Sequence, residues 1–136
     1  MSQDKATATL NRILYVEDDP DIQLVTKLTL ELRGRFVVAT CNSGAEALAK
    51  APRFKPDLVL LDVMMPYLDG PGTLLALRTM PVMTGVPVIF MTGKVQPEEI
   101  QYYRQMGAAG VIAKPFDPLT LIDDLRRFYQ SQTQPH

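Results

Sequence analysis

Four consecutive aliphatic residues, Leu58 to Leu61, run without interruption into an aspartate, Asp62. Pro56-Asp57 precedes the run, and Pro66 with Asp69-Gly70 follows it. A short unbroken apolar run between turn signals reads as a strand covered on both faces, as in a parallel sheet packed between helices. In such sheets the ligand crevice lies beyond the carboxyl ends of the strands. Asp62 falls at one of those ends, anchored by the strand and open enough to react. Alone, an aspartate after a strand is more often a helix cap or turn residue, so the remaining chain must decide.

The remaining chain repeats the pattern. Arg12 to Val16 reads as a strand, with Glu17-Asp18-Asp19 directly behind it. Asp19-Pro20 has the form of an N-cap with proline at the first helical position. The predicted helix carries Ile22, Val25, Leu28 and Leu32 on one apolar face and stops near Gly34. Phe36 to Thr40 reads as a second strand, and Ser43 to Glu46 as a capping box opening a helix to about Arg53. After the strand ending at Asp62, a helix is expected around Thr73 to Thr79. Val86 to Met91 is a fourth strand closed by Thr92-Gly93, and Pro97 sits at the start of a helix closing at Gly107. Gly110 to Ala113 is a fifth strand ended by Lys114-Pro115, and Asp117-Pro118 caps a last helix to about Tyr129. Five strand–helix repeats predict a doubly wound α/β fold with a parallel sheet. Residues 1–11 read as a flexible leader, 12–130 as one domain and 131–136 as a polar tail.

Composition narrows the function classes. The 136 residues carry a net charge of −1, which offers no electrostatic case for nucleic acid. The Arg126-Arg127 pair reads as a solvated helix face. The single cysteine, Cys41, cannot close an internal disulfide and reads as a small strand-end residue. Met1 to Arg12 lacks the apolar segment of a signal peptide, and no run reaches membrane-spanning length. A cytoplasmic chain with no membrane association is expected.

Four of the strands end in polar residues: Glu17-Asp18, Asp62, Thr92 and Lys114. In a parallel sheet those ends share one edge, which gathers three carboxylates, a hydroxyl and an ammonium. Crowded carboxylates raise one another's pKa, and a divalent cation relieves the repulsion. Hard oxygen ligands at a water-accessible site favour Mg²⁺. The same groups suit a phosphoryl transfer: metal, lysine and hydroxyl hold the equatorial oxygens while Asp62 attacks phosphorus in line. The chain has neither a Walker A segment nor a G-x-G-x-x-G loop, so the phosphoryl donor brings its own leaving group.

The segments I-L-Y-V-E-D-D-P, D-L-V-L-L-D-V-M-M-P-Y-L-D-G, P-V-I-F-M-T-G and G-A-A-G-V-I-A-K-P-F occur in that order, and the resemblance they carry spans about Ile13 to Phe128, nearly the whole chain. With these motifs the chain resembles the receiver domain of two-component response regulators. The resemblance implies a flavodoxin-like (βα)5 fold with a five-stranded sheet of order 2-1-3-4-5. It makes Asp62 the phospho-acceptor for a histidine kinase or histidine phosphotransfer protein. It assigns Asp18 to direct Mg²⁺ binding, Glu17 to binding mainly through water, and the Met64 backbone carbonyl to a further ligand. Thr92 and Lys114 would contact the phosphoryl oxygens, and Lys114-Pro115 would be a cis peptide. Glu17 and Asp18 match the family's acidic pair, which leaves Asp19 as a helix cap.

The chain departs from the family pattern at Val111, where an aromatic switch residue usually stands three positions before the lysine. Tyr102 and Tyr103 are adjacent and cannot share one helical face. Either one packs inward while the other lies on a partner surface, or both are ordinary half-buried residues. Output is then expected through the fourth helix or its loop. Met64 and Lys94, two residues after Asp62 and Thr92, are bulky and predict a phospho-aspartate shielded from water, although Lys94 reads equally as a solvated loop charge.

The expected function is a stand-alone phospho-accepting module that catalyses only its own phosphorylation and dephosphorylation and changes partner binding. It is expected as a monomer or weak homodimer, with a downstream protein the sequence does not name. A receiver excised from a larger hybrid kinase or response regulator fits the same residues, as does a degenerate receiver that merely binds partners. An aspartate-based phosphohydrolase fits less well. That class places a second aspartate two residues after the nucleophile, where this chain has Met64, and its one histidine, His136, is in the tail.

Overall fold

The computed structural model describes residues 9–133. Its centre is β3 (Leu58–Asp62), all five residues of which are buried. Beside it lie β1 (Arg12–Val16) and β2 (Val37–Cys41) on one side, β4 (Val88–Thr92) and β5 (Gly110–Ala113) on the other. The strands are parallel and ordered β2-β1-β3-β4-β5, the doubly wound flavodoxin-like arrangement. The connecting helices are α1 (Pro20–Leu32), α2 (Gly44–Phe54), α3 (Gly70–Leu77), α4 (Pro97–Gln105) and α5 (Pro118–Thr133), with a short 3-10 turn at Pro81–Met83.

Alternation along the strands builds two cores. Leu14, Val16, Val59, Leu61, Val88 and Phe90 pack with Ala47, Ala51, Leu74, Leu77 and Tyr103 from α2, α3 and α4. Ile13, Tyr15, Leu58, Leu60, Ile89 and Met91 pack on the other face with Leu30, Leu121 and Leu125 from α1 and α5. Because side chains alternate along a strand, consecutive residues of β3 serve both cores. Each buried leucine contributes roughly 1.5–3 kcal/mol.

The helix starts follow local chemistry. Asp19 Oδ1 accepts from the N–H groups of Asp21 at 2.9 Å and Ile22 at 3.1 Å. Ser43 Oγ accepts from Glu46 N–H at 3.1 Å, while the Glu46 carboxylate takes Asn42 N–H at 2.6 Å, one residue before the cap. Helix α3 begins at Gly70, three residues earlier than the sequence suggests, because Asp69 caps it through Gly72 N–H at 2.8 Å. A Cβ at Gly70 would lie 2.7 Å from the Asp62 carbonyl oxygen, so only glycine lets this helix start against the end of β3.

Helix α1 differs from its expected packing. The buried positions are Thr26 and Leu30, with Ile22 half-buried on the same side. Leu24, Val25, Leu28 and Leu32 are exposed. The helix is rolled so that a narrow i, i+4 stripe meets the sheet and the more apolar stripe faces solvent. Order also reaches further than the leader and tail boundaries suggest. Leu10 is buried, Asn11 N–H donates to Asp57 Oδ2 at 3.0 Å, and α5 extends to Thr133. His136 and residues 1–8 lie outside the described residues. Arg126 and Arg127 are both exposed, as a solvated helix face requires; Arg126 also donates to the Gly34 carbonyl at 3.2 Å, and Arg127 pairs with Asp124 at 3.0 Å.

Candidate functional site

The parallel register brings the polar strand ends together at one rim. Asp62 pairs across to Met91 and Thr92 to Ala113, so β3, β4 and β5 end almost level. Lys114 N–H donates to the Thr92 carbonyl at 2.9 Å, which carries the lysine one residue beyond β5. Glu17 N–H donates to the Cys41 carbonyl at 3.0 Å, which sets the acidic pair one residue beyond β1. The Lys114–Pro115 peptide is cis.

At this rim Glu17, Asp18 and Asp62 each place a carboxylate oxygen within 4.8 Å of the others. Glu17 and Asp62 are buried, whereas Asp18 is exposed. At that separation an ionised Glu17–Asp62 pair repels by roughly 3 kcal/mol at an effective dielectric of about 20. Lys114 answers the repulsion: its Nζ lies 3.0 Å from Glu17 Oε1 and 3.2 Å from Asp62 Oδ1. Burial pushes the Glu17 carboxyl above its ordinary value, against the pull of the Lys114 ammonium. Burial works against the Lys114 charge too, but the hydrogen bond to Glu17 and the charge of Asp62 outweigh it and hold that pKa above its usual value. Lys114 therefore stays charged.

The loops aim the remaining groups. Met64 N–H donates to Asp62 Oδ1 at 3.3 Å, with the Met64 side chain 75% exposed beside it. Lys94 N–H donates to Thr92 Oγ1 at 3.1 Å, and the lysine itself is exposed. Asp19 stays out of the acid cluster as the cap of α1. Cys41 is buried at the end of β2, where burial pushes its thiol up to about 12 and keeps it protonated.

Two residues without a functional reading in the sequence join the site. Gln23 Nε2 donates to the Glu17 carbonyl at 2.9 Å, the Cys41 carbonyl at 3.2 Å and Asn42 Oδ1 at 2.9 Å, tying α1 to both flanking loops. Tyr15 donates its hydroxyl to Glu17 Oε1 at 3.4 Å from below, and burial pushes its phenol well above the ordinary value. Strand alternation is the signal that could have found Tyr15, because it stands two residues before Glu17.

The half-buried Val111 packs on the core from β5. Tyr103 turns inward, edge-on to Phe90 with ring centres 5.0 Å apart, while Tyr102 is 56% exposed. The pair thus divides between core and surface, one of the two arrangements their adjacency permits.

Comparison with known proteins agrees with this geometry. The family profile of the response regulator receiver domain matches residues 13–126. The chain is 36% identical over 126 residues to the DNA-binding response regulator MtrA of Mycolicibacterium smegmatis, covering 91% of this chain and 53% of that protein. It thus spans about half the length of the curated relatives it matches. Among solved structures, the chemotaxis response regulator CheY4 of Vibrio cholerae superposes with a TM-score of 0.82 at 34% identity, covering 88% of this chain and 99% of that one. The receiver domain of the sensor histidine kinase PA1611 from Pseudomonas aeruginosa, described with a magnesium ion coordinated in its active-site cleft, superposes with a TM-score of 0.78 at 30% identity, covering 89% and 98%. Receiver domains of this kind are generally non-enzymatic signalling modules that take phosphoryl groups from histidine kinases. Among the described residues no helix is long and apolar enough to cross a membrane. From fold, rim and profile together, the chain belongs to the response regulator receiver domain family.

Proposed function

We propose that this chain is a phospho-accepting module of a two-component phosphorelay, in which Asp62 takes a phosphoryl group from a histidine kinase or histidine phosphotransfer protein. The observation that carries the reading is the convergence of Glu17, Asp18 and Asp62 within 4.8 Å around the Lys114 ammonium.

The acid cluster fits Mg²⁺. Its donors are hard carboxylate oxygens, and Lys114 already supplies the positive charge that two buried acids require. Asp18 and Asp62 would hold the metal directly, Glu17 mainly through water, and the Met64 carbonyl would complete the protein ligands. Bound there, Mg²⁺ would neutralise charge on the phosphoryl oxygens. The residues do the rest. Lys114 and Met64 N–H fix Asp62 through Oδ1. A carboxylate oxygen of Asp62 attacks phosphorus as the phosphorus–nitrogen bond of the phosphohistidine breaks, and the imidazole leaves with the electron pair. Lys114 and the Thr92 hydroxyl then take phosphoryl oxygens. Movement of Thr92 reaches α4 rather than an aromatic at Val111.

A protein donor also needs a surface, and one adjoins the rim. A groove of about 570 Å³ runs from Lys114 along Pro115, Phe116 and Pro118 to Ile22 and Val25 of α1. With the exposed apolar stripe of α1 beside it, this is where the donor would seat. The chain fits a protein made of this domain alone and a domain of a longer protein equally well.

Incubation with acetyl phosphate and Mg²⁺ should add one acid-stable, base-labile phosphate by intact mass, lost entirely in Asp62→Asn. The phosphorylated protein should show altered chemical shifts between residues 93 and 106. A phosphate that survives Asp62→Asn rejects Asp62 as acceptor. Turnover of varied phosphate esters would instead favour a phosphohydrolase.

A further inference from the structure

We propose that Tyr15 is a positioning residue for the metal site, acting through Glu17. The inference rests on the phospho-acceptor reading of the rim and deepens it.

Glu17 has three partners on its carboxylate. Lys114 Nζ and the Tyr15 hydroxyl meet Oε1 at 3.0 Å and 3.4 Å, and Asp19 N–H meets Oε2 at 3.2 Å. These partners differ in freedom. Lys114 is shared with Asp62 at 3.2 Å and, on the phospho-acceptor reading, is the group that would turn to a phosphoryl oxygen on transfer. Asp19 N–H is fixed in the cap of α1. Tyr15 is fixed too: it is fully buried in β1 among Ile13, Leu30, Leu58 and Leu60. When Lys114 leaves, the fixed pair remains and keeps Glu17 aimed at the metal.

The position needs such a holder. Glutamate has one more rotatable bond than aspartate, and this side chain is 1% exposed, so another rotamer would bury its charge against the apolar floor. The Tyr15 hydroxyl closes that floor. The contact is long for an O–H···O hydrogen bond, which suits a guide rather than a tight clamp.

The test uses the whole chain and Mg²⁺ alone. Tyr15→Phe removes one oxygen from a packed ring and keeps the fold. Calorimetric titration should show the Mg²⁺ Kd rising about tenfold, the low end for loss of a partner behind a metal ligand. The Mg²⁺ concentration for half-maximal phosphorylation by acetyl phosphate should rise by the same factor, with the rate at saturating Mg²⁺ unchanged. A merely structural tyrosine would shift the melting temperature or the saturating rate and leave that midpoint in place. In a Glu17→Asp background, where the shorter acid withdraws from the hydroxyl, Tyr15→Phe should change the Kd less than twofold. Equal Mg²⁺ affinity in the parent and Tyr15→Phe overturns the inference and leaves the phospho-acceptor reading standing. So does a tenfold loss that persists beside Glu17→Asp. A parent that binds no Mg²⁺ and gains no phosphate overturns both.

Discussion

Strand β3 carries four large aliphatic side chains and buries them all, whereas of the six on helix α1, Leu24, Val25, Leu28 and Leu32 face solvent. The difference lies in freedom of rotation. A strand covered on both faces has no solvent side to choose, so an unbroken apolar run fixes its burial. A helix can roll about its axis, and the side that meets the sheet depends on the width of the gap between β1, β2 and α5. In this molecule Thr26 and Leu30 fit that gap. The wider apolar stripe is left outward, beside the groove that leads to Lys114. Hydrophobicity thus serves the fold in β3 and is available for recognition in α1.

Mutations should break this comparison cleanly. Leu60→Ala should cost about 2–5 kcal/mol in urea unfolding, because β3 leaves no room for collapse around the lost volume. A loss under about 1 kcal/mol would place Leu60 in a looser setting than its full burial implies. Glu46→Ala, in a helix on the opposite sheet face from α1, should cost about 1 kcal/mol at neutral pH by uncapping Asn42 N–H. That hydrogen bond holds the Glu46 carboxyl below its ordinary value of 4.5. Its contribution is therefore fully present above that value and lost as pH falls through the lower folded value. The stability gap between parent and variant should close on acidification, and a pH-independent gap would show that the loss does not come through the ionised Glu46 carboxylate. Val25→Ser on α1 should change stability least, within about 0.5 kcal/mol. It should still slow transfer from a histidine-phosphorylated protein donor while leaving phosphorylation by acetyl phosphate unaltered. Equal slowing with both donors would place Val25 in the chemistry rather than in docking.

The legible parts of the site share one property: their signal is local. Asp62 stands at the end of its apolar run, Asp19 before Pro20, and Ser43 three residues before Glu46. Each declares a strand end or helix cap through its immediate neighbours. The reciprocal arm of the capping box was less legible, because Glu46 reaches Asn42 and not Ser43. Gln23 was hidden for the opposite reason. Its three acceptors are two carbonyls and an amide spread over Glu17, Cys41 and Asn42, and only the parallel pairing of β1 with β2 brings them together. Tyr15 lay in between. Alternation places it under Glu17, but an aromatic in a buried strand otherwise reads as core.

The amino-acid order alone determined the strand–helix alternation and the strand ends that carry acid, hydroxyl and ammonium, and its four motifs carried the resemblance to the receiver family. The alternation and the strand ends follow from periodicity, capping and turn chemistry, all short-range. The tertiary structure decided which stripe of α1 is buried, which of Tyr102 and Tyr103 turns inward, and how Glu17 divides its oxygens among Tyr15, Asp19 and Lys114. Those choices depend on gaps between elements distant in sequence, where packing volume and charge compensation outweigh local preference.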